Sequence, residues 1–599
     1  MCGFTGWFDP HPQSREILER MTASLTHRGP DGSGIFFDGP VALGHRRLAI
    51  IDLAASHQPM IFEQYVLAYN GELYNFRQLR VELEALGHRF RTEGDTEVLL
   101  HALIEWKEEA LPRLEGMFAF AFWDGKSLLL ARDHIGVKPL YICWDQGRLL
   151  FASEIKALLE HPAVSREIDP NAIGLYLECQ YIPAPYTIFR HIRKLPAAHF
   201  RRLDKGHLEQ RRYWLPQYLP KFEFDEETAL EQLEAHLRRS VQSMLVADVP
   251  LGAFVSGGID SSLIAALMQA ESGSRAKIFS IALNHVHGEQ EHASRVASYL
   301  GADFHSLIVQ ASDMIGALDQ PFDEPFGDQA ALPTLLLSKL TRNHVKVVLT
   351  GEGADEIFAG YSNYPKRLKE APACARWGGI YSHVHRFMPE KLRKNRLFKA
   401  MARPLSRRYT TIPNLFDKEI HRSLLTAPFL AAQTTSLERL AEPHYFACDS
   451  HEYLDRMLHI DTNLWLPDDL LTKVDRATMA YSLEARVPYL DHRLVEFAAR
   501  LPVHFKLRGT EGKYLLKRLA AKGLLPPEIA FRPKWGFVVP LREWMSNDLK
   551  PLLDDALSAG GLFGRNIFRH GLIEKNGTRL FSLLSLELWF RRYAPNYRF

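Results

Sequence analysis

A cysteine at position 2 is the first residue of this sequence whose placement suggests chemistry. Removal of Met1 would leave Cys2 with a thiol and a free α-amine, and an amine with a pKa of about 8 can act as the base for its own thiol. One residue would then supply both nucleophile and base. The alternative is an ordinary early cysteine, so the neighbouring groups must decide.

A thiol that attacks an amide needs hydrogen-bond donors for the oxyanion that forms. In the stretch YNGELYN, Asn70 and Gly71 offer a side-chain amide beside an accessible backbone N–H. An Asn-Gly pair is also the commonest hairpin turn, and that interpretation stays open. A substrate with amino-acid carboxylate and ammonium groups would need charged partners, for which Arg47, Glu72 and Asp95 are candidates.

The stretch FVSGGIDSS, residues 254–262, follows an apolar run and opens a sequence with helical character. Its glycines and hydroxyls would present N–H and O–H donors, which suit a phosphate. It is neither a Walker A loop, because the lysine is missing, nor a GxGxxG fingerprint. A simple serine-glycine turn is the alternative.

Carboxylates accompany this candidate phosphate loop. Asp260 lies inside it, and VVLTGEGADEIFAGY places Glu352, Asp355 and Glu356 after another apolar run. Magnesium prefers carboxylate oxygens, and parallel strands bring such loops to one edge of a sheet. An acidic helix N-terminus is the alternative interpretation.

Two kinds of secondary structure divide the chain. Short apolar runs broken by Gly, Asn and Asp predict a mainly β region up to about residue 200, with helices near 14–25, 76–86 and 95–109. From residue 226 apolar runs alternate with helical sequence, which predicts βαβ units and a parallel sheet. Residues 361–599 are predicted to be largely helical.

Composition excludes several classes of protein. The 599 residues exceed one ordinary core, and 73 Lys plus Arg nearly balance 71 Asp plus Glu, which disfavours nucleic-acid binding. No apolar run is long enough for a membrane helix, and no signal peptide is evident, so we expect a cytoplasmic protein without a membrane partner. The five cysteines contain no CxxC pair.

Five stretches carry a resemblance across residues 1–200: MCGFTG, HRGPDG, GHRRLAIIDL, YNGELYN and GDTEVLL. Together they resemble the class II glutamine amidotransferase family. The resemblance implies that Cys2 is the nucleophile and that Asn70 and Gly71 form the oxyanion hole. It also implies a set of glutamine-binding residues, namely Arg47, Leu48, Ala49, Ile50, Ile51, Asn70, Gly71, Glu72 and Asp95.

The second half carries further signatures. SGGIDSS resembles the pyrophosphate loop of adenine nucleotide α-hydrolase-like ATP pyrophosphatases, and LTGEGADEIFAGY resembles glutamine-hydrolysing asparagine synthetases. Similar stretches continue to about residue 540, namely DEPFGDQAALPT, LLTKVDRATMAYSLEARVPYLDHRL, GTEGKYLLKRLA and RPKWGF. The resemblance is weak over residues 365–455 and over the last forty residues.

This second resemblance implies roles for particular residues. ATP would be bound by Phe254, Ser256, Gly257, Gly258, Asp260, Ser261, Ser262, Ile281, Thr350 and Gly351. Asp260 and Asp355 would hold Mg²⁺, Glu352 would take part in forming an acyl-adenylate, and Lys513 would neutralise phosphate charge. From spacing alone, Lys513 could equally be a surface lysine.

The family resemblance also implies a fold and a domain order. An N-terminal nucleophile hydrolase domain with four α/β/β/α layers is expected over residues 1–205, and a linker over 206–225. An α-hydrolase-like parallel-sheet domain with a helical C-terminal extension is expected over residues 226–599.

The implied reaction is glutamine-dependent amidation of a carboxylate through an acyl-adenylate, with ATP and Mg²⁺. L-Aspartate is the default acceptor, which would give L-asparagine, L-glutamate, AMP and diphosphate. A cell-wall peptide, a natural-product intermediate or an exopolysaccharide-linked carboxylate remains open, as does a non-catalytic binding paralogue. Ammonia would need a water-poor passage between the two sites, and a homodimer is expected by resemblance.

Overall fold

Antiparallel strands build the first part of the chain, as its short apolar runs predict. The structure, a computed structural model, describes residues 2–11, 13–283, 289–310, 313, 321–384, 387–389, 405–407, 415–416, 418–533, 539–569 and 576–599. The strands of the first part are β1 (Gly3–Phe8), β2 (Gly32–Asp38), β3 (Val41–Arg47), β4 (Met60–Phe62), β5 (Tyr65–Leu73), β6 (Gly116–Trp123), β7 (Ser127–Arg132), β8 (Tyr141–Asp145), β9 (Arg148–Ala152), β10 (Ile192–Lys194), β11 (His199–Asp204) and β12 (His207–Arg212).

These strands form two six-stranded sheets. The first has the order β10-β8-β9-β1-β3-β2 and the second the order β12-β11-β7-β6-β5-β4. Neighbouring strands are antiparallel throughout, with Gly3 opposite Arg46 and Asn70 opposite Ala119. The sheets pack face to face through buried side chains from both, among them Phe4, Leu43, Phe151, Ala68, Ala119 and Leu130.

Helices cover the outer face of each sheet. They are α1 (Arg15–Ala23), α2 (Phe76–Ala85), α3 (Asp95–Trp106), α4 (Ile155–Leu159) and α5 (Pro170–Cys179). Helices α2 and α3 pack on the second sheet, where Leu79 and Leu103 meet Phe120. Helices α1, α4 and α5 pack on the first, where Leu18 and Leu158 meet Trp7. The predicted α/β/β/α order of layers is therefore confirmed.

The last hairpin of the second sheet bears on the domain boundary. Strands β11 and β12 pair from His199 opposite Arg212 to Asp204 opposite His207, with a tight turn at residues 205–206. A linker that began at residue 206 would divide this hairpin. We propose a first domain over residues 1–212 and a second over residues 226–599.

A parallel sheet organises the second domain. Its strands are β13 (Leu251–Phe254), β14 (Lys277–Leu283), β15 (Asp303–Val309), β16 (Val347–Leu349) and β17 (Glu484–Arg486). They lie in the order β15-β14-β13-β16-β17, and every neighbouring pair is parallel. The chain therefore changes direction across the sheet between β13 and β16. A ligand crevice is expected at the carboxyl ends of two such strands.

Helices surround this sheet and extend beyond it. The first are α6 (Glu226–Met244), α7 (Ile259–Glu271), α8 (Glu289–Leu300), α9 (Ala331–Arg342), α10 (Ala354–Phe358) and α11 (Asn363–Val384). They continue with α12 (Lys418–Leu424), α13 (Ala427–Ala431), α14 (Leu437–Ala447), α15 (Tyr453–Ile460) and α16 (Leu471–Met479). The last are α17 (His492–Arg500), α18 (Val503–Lys506), α19 (Tyr514–Leu519), α20 (Pro527–Ala530), α21 (Leu541–Ser546), α22 (Lys550–Ala556) and α23 (Gly577–Tyr593).

Smaller elements complete the second domain, and the predicted helical extension is confirmed. A short hairpin pairs β18 (Leu507–Arg508) with β19 (Glu511–Gly512), and a π-helical segment, Asp461–Leu470, leads into α16. The C-terminal helix α23 joins the two domains, because the Tyr176 hydroxyl donates to the Ser582 carbonyl at 2.7 Å. Within the described part of the chain, every helix is too short or too polar to cross a bilayer.

Candidate active site

Cys2 lies at the start of β1 with its side chain only 7% exposed. Its backbone N–H donates to Asn70 Oδ1 at 2.9 Å, and its thiol faces the Leu48 carbonyl at 3.9 Å. Burial raises the pKa of this thiol, so the thiol is protonated at neutral pH and needs a base. The nitrogen that would become the α-amine after removal of Met1 is the one held by Asn70.

Asn70 and Gly71 lie inside β5, opposite Ala119 and Phe118 of β6, which excludes the hairpin-turn interpretation. The Asn70 side chain is fully buried, and its Nδ2 has no hydrogen-bond partner within the described residues. A buried amide donor that stays unpaired needs an explanation. Since its Oδ1 already holds Cys2, the amide is fixed beside the thiol with a donor available for an oxyanion.

Replacing Asn70 with aspartate should lower kcat for glutamine hydrolysis by about 10²- to 10³-fold, the usual loss for one oxyanion donor. The change keeps an oxygen that accepts from Cys2 N–H and removes the amide donor. Steady-state glutaminase assays would measure the loss. Unchanged kcat with a raised KM would show that Asn70 binds ground-state glutamine and does not stabilise the oxyanion.

Gly71 is required by close packing between strands. A Cβ at this position would lie 2.2 Å from the Met117 carbonyl oxygen on β6. Any side chain would therefore push β5 away from β6 and displace Asn70.

The loop after β3 forms another wall of the thiol site. Arg47 donates from its guanidinium to the carbonyls of Asp52 at 2.6 Å and Leu53 at 3.0 Å. Ala49 N–H donates to Asp31 Oδ2 at 2.9 Å. The predicted glutamine-binding stretch 47–51 is thus a fixed loop, and Leu48 carries the carbonyl next to the thiol. Direct binding of glutamine by Arg47 stays a prediction.

Asp95 is a buried carboxylate at the first position of α3. Its Oδ2 accepts from Leu73 N–H at 2.9 Å and from the Tyr69 hydroxyl at 3.1 Å. Burial raises its pKa, against these hydrogen bonds. The hydrogen bond to Leu73 ties Asp95 to the end of β5, on the same strand as Asn70 and Gly71.

Glu72 follows the oxyanion pair and is also buried. Burial and the negative charges of Glu484 and Asp95 raise its pKa well above the usual value, against the opposing charge of Arg486. Glu72 Oε2 lies 3.7 Å from Arg486 Nη2, which is beyond hydrogen-bonding distance. A ligand ammonium group beside Glu72 and Asp95 would supply a positive charge that stabilises their ionised forms.

The structure adds two arginines that the sequence analysis did not assign to this site. Arg28, in HRGPDG, is fully buried and donates from Nε to the Cys2 carbonyl at 3.0 Å. Arg486, on β17, reaches Glu72 from the second domain. Neither arginine carries a local sequence signal for this role, because the partners of each become neighbours only in the folded chain.

The loop between β13 and α7 forms the second site. Gly257 has φ +73°, and a Cβ there would lie 2.6 Å from His292 Cβ. Ser256 N–H donates to Ser261 Oγ at 3.1 Å, which folds the loop over the first turn of the helix. The predicted serine-glycine stretch is therefore a strand-loop-helix turn at the N-terminus of α7, the geometry of an anion site.

Replacing Gly257 with alanine should lower the free energy of unfolding by more than about 1–2 kcal/mol. A left-handed backbone conformation alone costs an alanine about that much, and the clash with His292 adds to it. Gly273→Ala is the matched control: Gly273 has φ +61° and open space around its Cβ position. Thermal unfolding and KM for ATP would be measured. Only Gly257→Ala should raise the KM for ATP. An equal KM in both variants would contradict the assignment of this loop as the phosphate site.

The segment after β16 lies directly against this loop. A Cβ at Gly351 would be 2.6 Å from the Ser261 backbone nitrogen, so the two predicted signatures are in backbone contact. Thr350 N–H donates to the Arg486 carbonyl at 2.9 Å, which ties the segment to β17. Glu352 follows, and its charge helps to raise the pKa of the buried Lys473, although burial opposes that shift.

Lys513 brings the two signatures together. Its Nζ lies 2.5 Å from Asp260 Oδ2 and 2.6 Å from Asp355 Oδ1. Burial opposes its charge, but the two carboxylates raise the pKa of Lys513 above the usual value. Gly360 and Gly512 make room for this arrangement: a Cβ at Gly360 would lie 2.2 Å from Lys513 Cε, and one at Gly512 would lie 2.1 Å from the Ala359 carbonyl oxygen. The surface-lysine alternative is excluded.

Asp260 and Asp355 also fit the predicted magnesium ion. They converge on one cationic group within 2.6 Å, so both can face the same ion. The described residues contain no cluster of three or more His, Cys, Asp and Glu side chains arranged for a metal. Magnesium suits such a sparse set because it keeps water ligands and takes the rest from substrate phosphates.

Other predicted nucleotide contacts surround the same crevice. Ile281 is buried on β14, and Phe254 ends β13. The buried hydroxyls of Ser262 and Thr350 have no hydrogen-bond partner in the part of the chain that the structure describes. Arg532 was not predicted: it donates from Nη1 to the Gly257 carbonyl at 3.0 Å. It begins the RPKWGF stretch, of which residues 534–537 lie outside the described residues.

Comparison with known families gives one match for each of the two domains. The asparagine synthase profile matches residues 232–591, and the glutamine amidotransferase domain profile matches residues 1–214. The chain belongs to the asparagine synthase family. The resemblance inferred from the sequence is thereby confirmed.

Relatives of this family member align over most of its length. It is 35% identical to asparagine synthetase [glutamine-hydrolyzing] 1 of Bacillus subtilis, over 92% of this chain and 88% of that protein. It is 37% identical to a putative asparagine synthetase [glutamine-hydrolyzing] of Mycobacterium tuberculosis, over 88% and 84%. A solved glutamine phosphoribosylpyrophosphate amidotransferase from B. subtilis matches 51% of this chain and 81% of its own, at 19% identity and a TM-score of 0.28.

In this asparagine synthase family member a cavity lies in the interface between the two domains. Its lining includes Tyr74, Glu115, Gly116, Met117, Asp133, His134, Ile135, Val137, Met244, Val487, Leu490, Asp491 and His492. At one end, the Tyr74 ring lies 5.6 Å from the guanidinium of Arg486, beside the thiol site. At the other, Leu490 packs so closely on Gly353 that a Cβ there would lie 2.2 Å from Leu490 Cδ2. The cavity therefore borders both sites.

Two histidines stack in this cavity wall. The rings of His134 and His492 lie 4.2 Å apart at an interplanar angle of 10°. Burial lowers the pKa of both, so both are neutral at neutral pH. The two histidines therefore add no positive charge to a lining that combines apolar side chains with the carboxylates of Glu115, Asp133 and Asp491.

Proposed function

We propose that this chain transfers the amide nitrogen of glutamine to a carboxylate through an acyl-adenylate, and that the acceptor is L-aspartate. One observation carries the proposal. On one side of the domain interface lies a buried thiol beside an unpaired amide donor. On the other side lies a lysine that two carboxylates hold beside the loop of residues 256–262. Membership of the asparagine synthase family supports the same pairing.

Glutamine hydrolysis would take place in the first domain. After removal of Met1, the α-amine of Cys2 takes the thiol proton, and the thiolate attacks the side-chain carbonyl carbon of glutamine. Asn70 Nδ2 and the Gly71 N–H stabilise the tetrahedral oxyanion. Ammonia leaves with the proton returned by the amine, and water hydrolyses the resulting thioester to glutamate and free Cys2.

Carboxylate activation would take place in the second domain. A carboxylate oxygen of the acceptor attacks the α-phosphorus of ATP, and diphosphate leaves from the loop of residues 256–262. Lys513 neutralises developing charge on the phosphates. Asp260 and Asp355 would hold Mg²⁺, which supplies further charge neutralisation when bound. Ammonia then attacks the acyl carbon, and AMP leaves as the amide forms.

The interface cavity is our candidate for the ammonia passage. Ammonia that entered bulk water would be protonated and would lose its nucleophilicity, so a protected route is needed. The cavity lies beside both sites, and its lining combines apolar side chains and two neutral histidines with Glu115, Asp133 and Asp491. Arg493 pairs with Glu115 and with Asp491, and Asp133 accepts from the backbone N–H groups of residues 136–138, so these carboxylates already have partners. The enclosed route would keep ammonia away from bulk water as it crosses the interface.

Charges of both signs near Glu352 support an amino-acid acceptor. Lys473 Nζ lies 3.2 Å from Asp328 Oδ2, and Asp469 and Glu352 are close enough to raise the pKa of Lys473. The buried Asp469 Oδ1 has no hydrogen-bond partner among the residues that the structure describes. A carboxylate and an ammonium on one small substrate would match such a mixed site.

A panel of carboxylates tests the acceptor. Diphosphate release would be measured with ATP, glutamine and aspartate, glutamate, succinate or N-acetylaspartate. The last two are matched controls because they lack the ammonium group of aspartate. We expect aspartate to exceed each of the others in kcat/KM by at least about 100-fold, in line with the discrimination that buried polar groups provide. Release with a larger carboxylate, and none with aspartate, would overturn the acceptor assignment.

A further inference from the structure

We infer that Asp475, in the second domain, positions the nucleophile of the first domain through Arg28. Asp475 lies on α16 and Arg28 follows α1, so the two residues meet only across the domain interface. The inference rests on the proposed role of Cys2. It adds a requirement: rapid glutamine hydrolysis needs a residue from the domain that activates the carboxylate.

Arg28 connects the two residues through different nitrogen atoms. Its Nε donates to the Cys2 carbonyl at 3.0 Å. Its Nη1 and Nη2 donate to Asp475 Oδ2 and Oδ1 at 2.8 and 3.0 Å. This two-pronged pairing fixes the plane of the guanidinium, which a single hydrogen bond would not do. The orientation of the Nε–H, and hence the position of the Cys2 carbonyl, follows from Asp475.

Packing leaves the Arg28 side chain little freedom to move. Its side chain is fully buried, and a Cβ at Gly3 would lie 3.1 Å from Arg28 Cδ. Arg28 therefore presses directly on the strand that begins beside Cys2. A shift of its guanidinium would be transmitted to that strand and would not be absorbed by solvent.

A second carboxylate, Glu154, cannot replace Asp475. It accepts from Arg28 Nη1 at 2.8 Å, but it also pairs with Arg476 at 2.5 Å and Lys156 at 2.7 Å. Its position is set by three cations, so it leaves the fork of Arg28 only partly satisfied. Asp475 gives Arg28 both of its oxygens.

Helix α16 places Asp475 between the two sites. Lys473 is two residues earlier, about 200° around the helix, and pairs with Asp328 near Glu352. Arg476, which lies on the same helix as Asp475, donates to Asp323 Oδ2 at 3.0 Å. One short, buried helix therefore contacts the carboxylate-activation site on one face and supports the nucleophile on another.

The expected effect follows from nucleophile placement. Asp475→Asn keeps the size of the side chain and removes its charge and one acceptor oxygen. A nucleophile displaced by about 1 Å can lose about 100-fold in rate, so we expect kcat for glutamine hydrolysis to fall by about 10- to 100-fold. KM for glutamine should change by less than about threefold, because the residues predicted to bind glutamine are untouched.

The experiment compares Asp475→Asn with wild type and with Glu496→Gln. Glu496 is a matched control because it also lies in the second domain and accepts from Trp214 Nε1, in the connecting segment, at 2.6 Å. Active thiols are titrated with a diazoketone analogue of glutamine, and kcat is expressed per titrated thiol. Ammonia-dependent diphosphate release is measured on the same preparations.

Four results support the inference and three overturn it. Support requires that kcat per thiol falls in Asp475→Asn and falls to a similar extent in Arg28→Lys. It also requires that the variant with both changes shows no additional fall and that kcat per thiol is unchanged in Glu496→Gln. Unchanged kcat in Asp475→Asn, an equal fall in Glu496→Gln, or an equal fall in ammonia-dependent release would overturn it. A wild type that hydrolyses no glutamine would instead refute the proposed function of Cys2.

Discussion

Replacing Cys2 with alanine is expected to remove glutamine-dependent amide formation by at least about 10⁴-fold, the scale of losing a catalytic nucleophile. Ammonia-dependent amide formation should stay within about twofold of wild type, because carboxylate activation uses residues on the other side of the interface. Both rates would be measured as AMP formation, with glutamine or ammonium chloride as the nitrogen source. The ratio of the two rates is the informative quantity.

The selectivity of that loss has a direct physical basis. Cys2 hydrogen-bonds to Asn70, Leu48 and Arg28, all in the first domain, whereas the loop of residues 256–262 belongs to the second. Cys143→Ala is the matched control because Cys143 is also buried, on β8 of the same domain. It should keep both activities. An equal loss of ammonia-dependent activity in Cys2→Ala would contradict the separation of the sites.

Replacing Lys513 with methionine is expected to have the opposite pattern. Diphosphate release should fall by at least about 10³-fold, at the upper end for losing one preorganised charge contact in a buried site. The variant leaves Asp260 and Asp355 facing each other and the triphosphate without their shared ammonium. Glutamine hydrolysis should be unchanged, and this retained activity would also show that the variant is folded.

Lys517 provides the control for this second prediction. It lies on α19, four residues after Lys513, and pairs with Glu511 at 3.1 Å. Lys517→Met should alter diphosphate release by less than about twofold, as expected for a pair that solvent reaches. A similar loss in both variants would mean that α19 as a whole, and not the Lys513 ammonium, supports the reaction.

Most of the framework could be predicted from local sequence patterns. The apolar runs of the first domain became strands, and apolar runs of the second became β13 to β16. Strand β17 was missed because it has only three residues, of which two are charged. Its burial depends on the ion pairs of Arg486 with Glu484 and Glu72. A charged strand of that length has no local signature.

The candidate residues came from motifs, but their supports did not. Asn70 and Gly71 are adjacent in sequence, and their role depended only on whether the pair formed a turn or a strand. Arg28 and Asp475 are 447 positions apart, and their pairing exists only after the two domains pack together. Arg532 reaches the Gly257 carbonyl over 275 positions. Contacts of that separation are set by tertiary packing, to which a single sequence gives no guide. The expected homodimer likewise stays a prediction.

The most direct test follows the oxygen atoms of the acceptor carboxylate. Turnover with ATP, amide-¹⁵N glutamine and aspartate labelled with ¹⁸O in its side-chain carboxylate would be analysed by mass spectrometry. The account predicts one ¹⁸O in AMP, unlabelled diphosphate, and asparagine that carries ¹⁵N and the other ¹⁸O. Formation of ADP with ¹⁸O in orthophosphate would show an acyl-phosphate in place of an acyl-adenylate and would contradict the account.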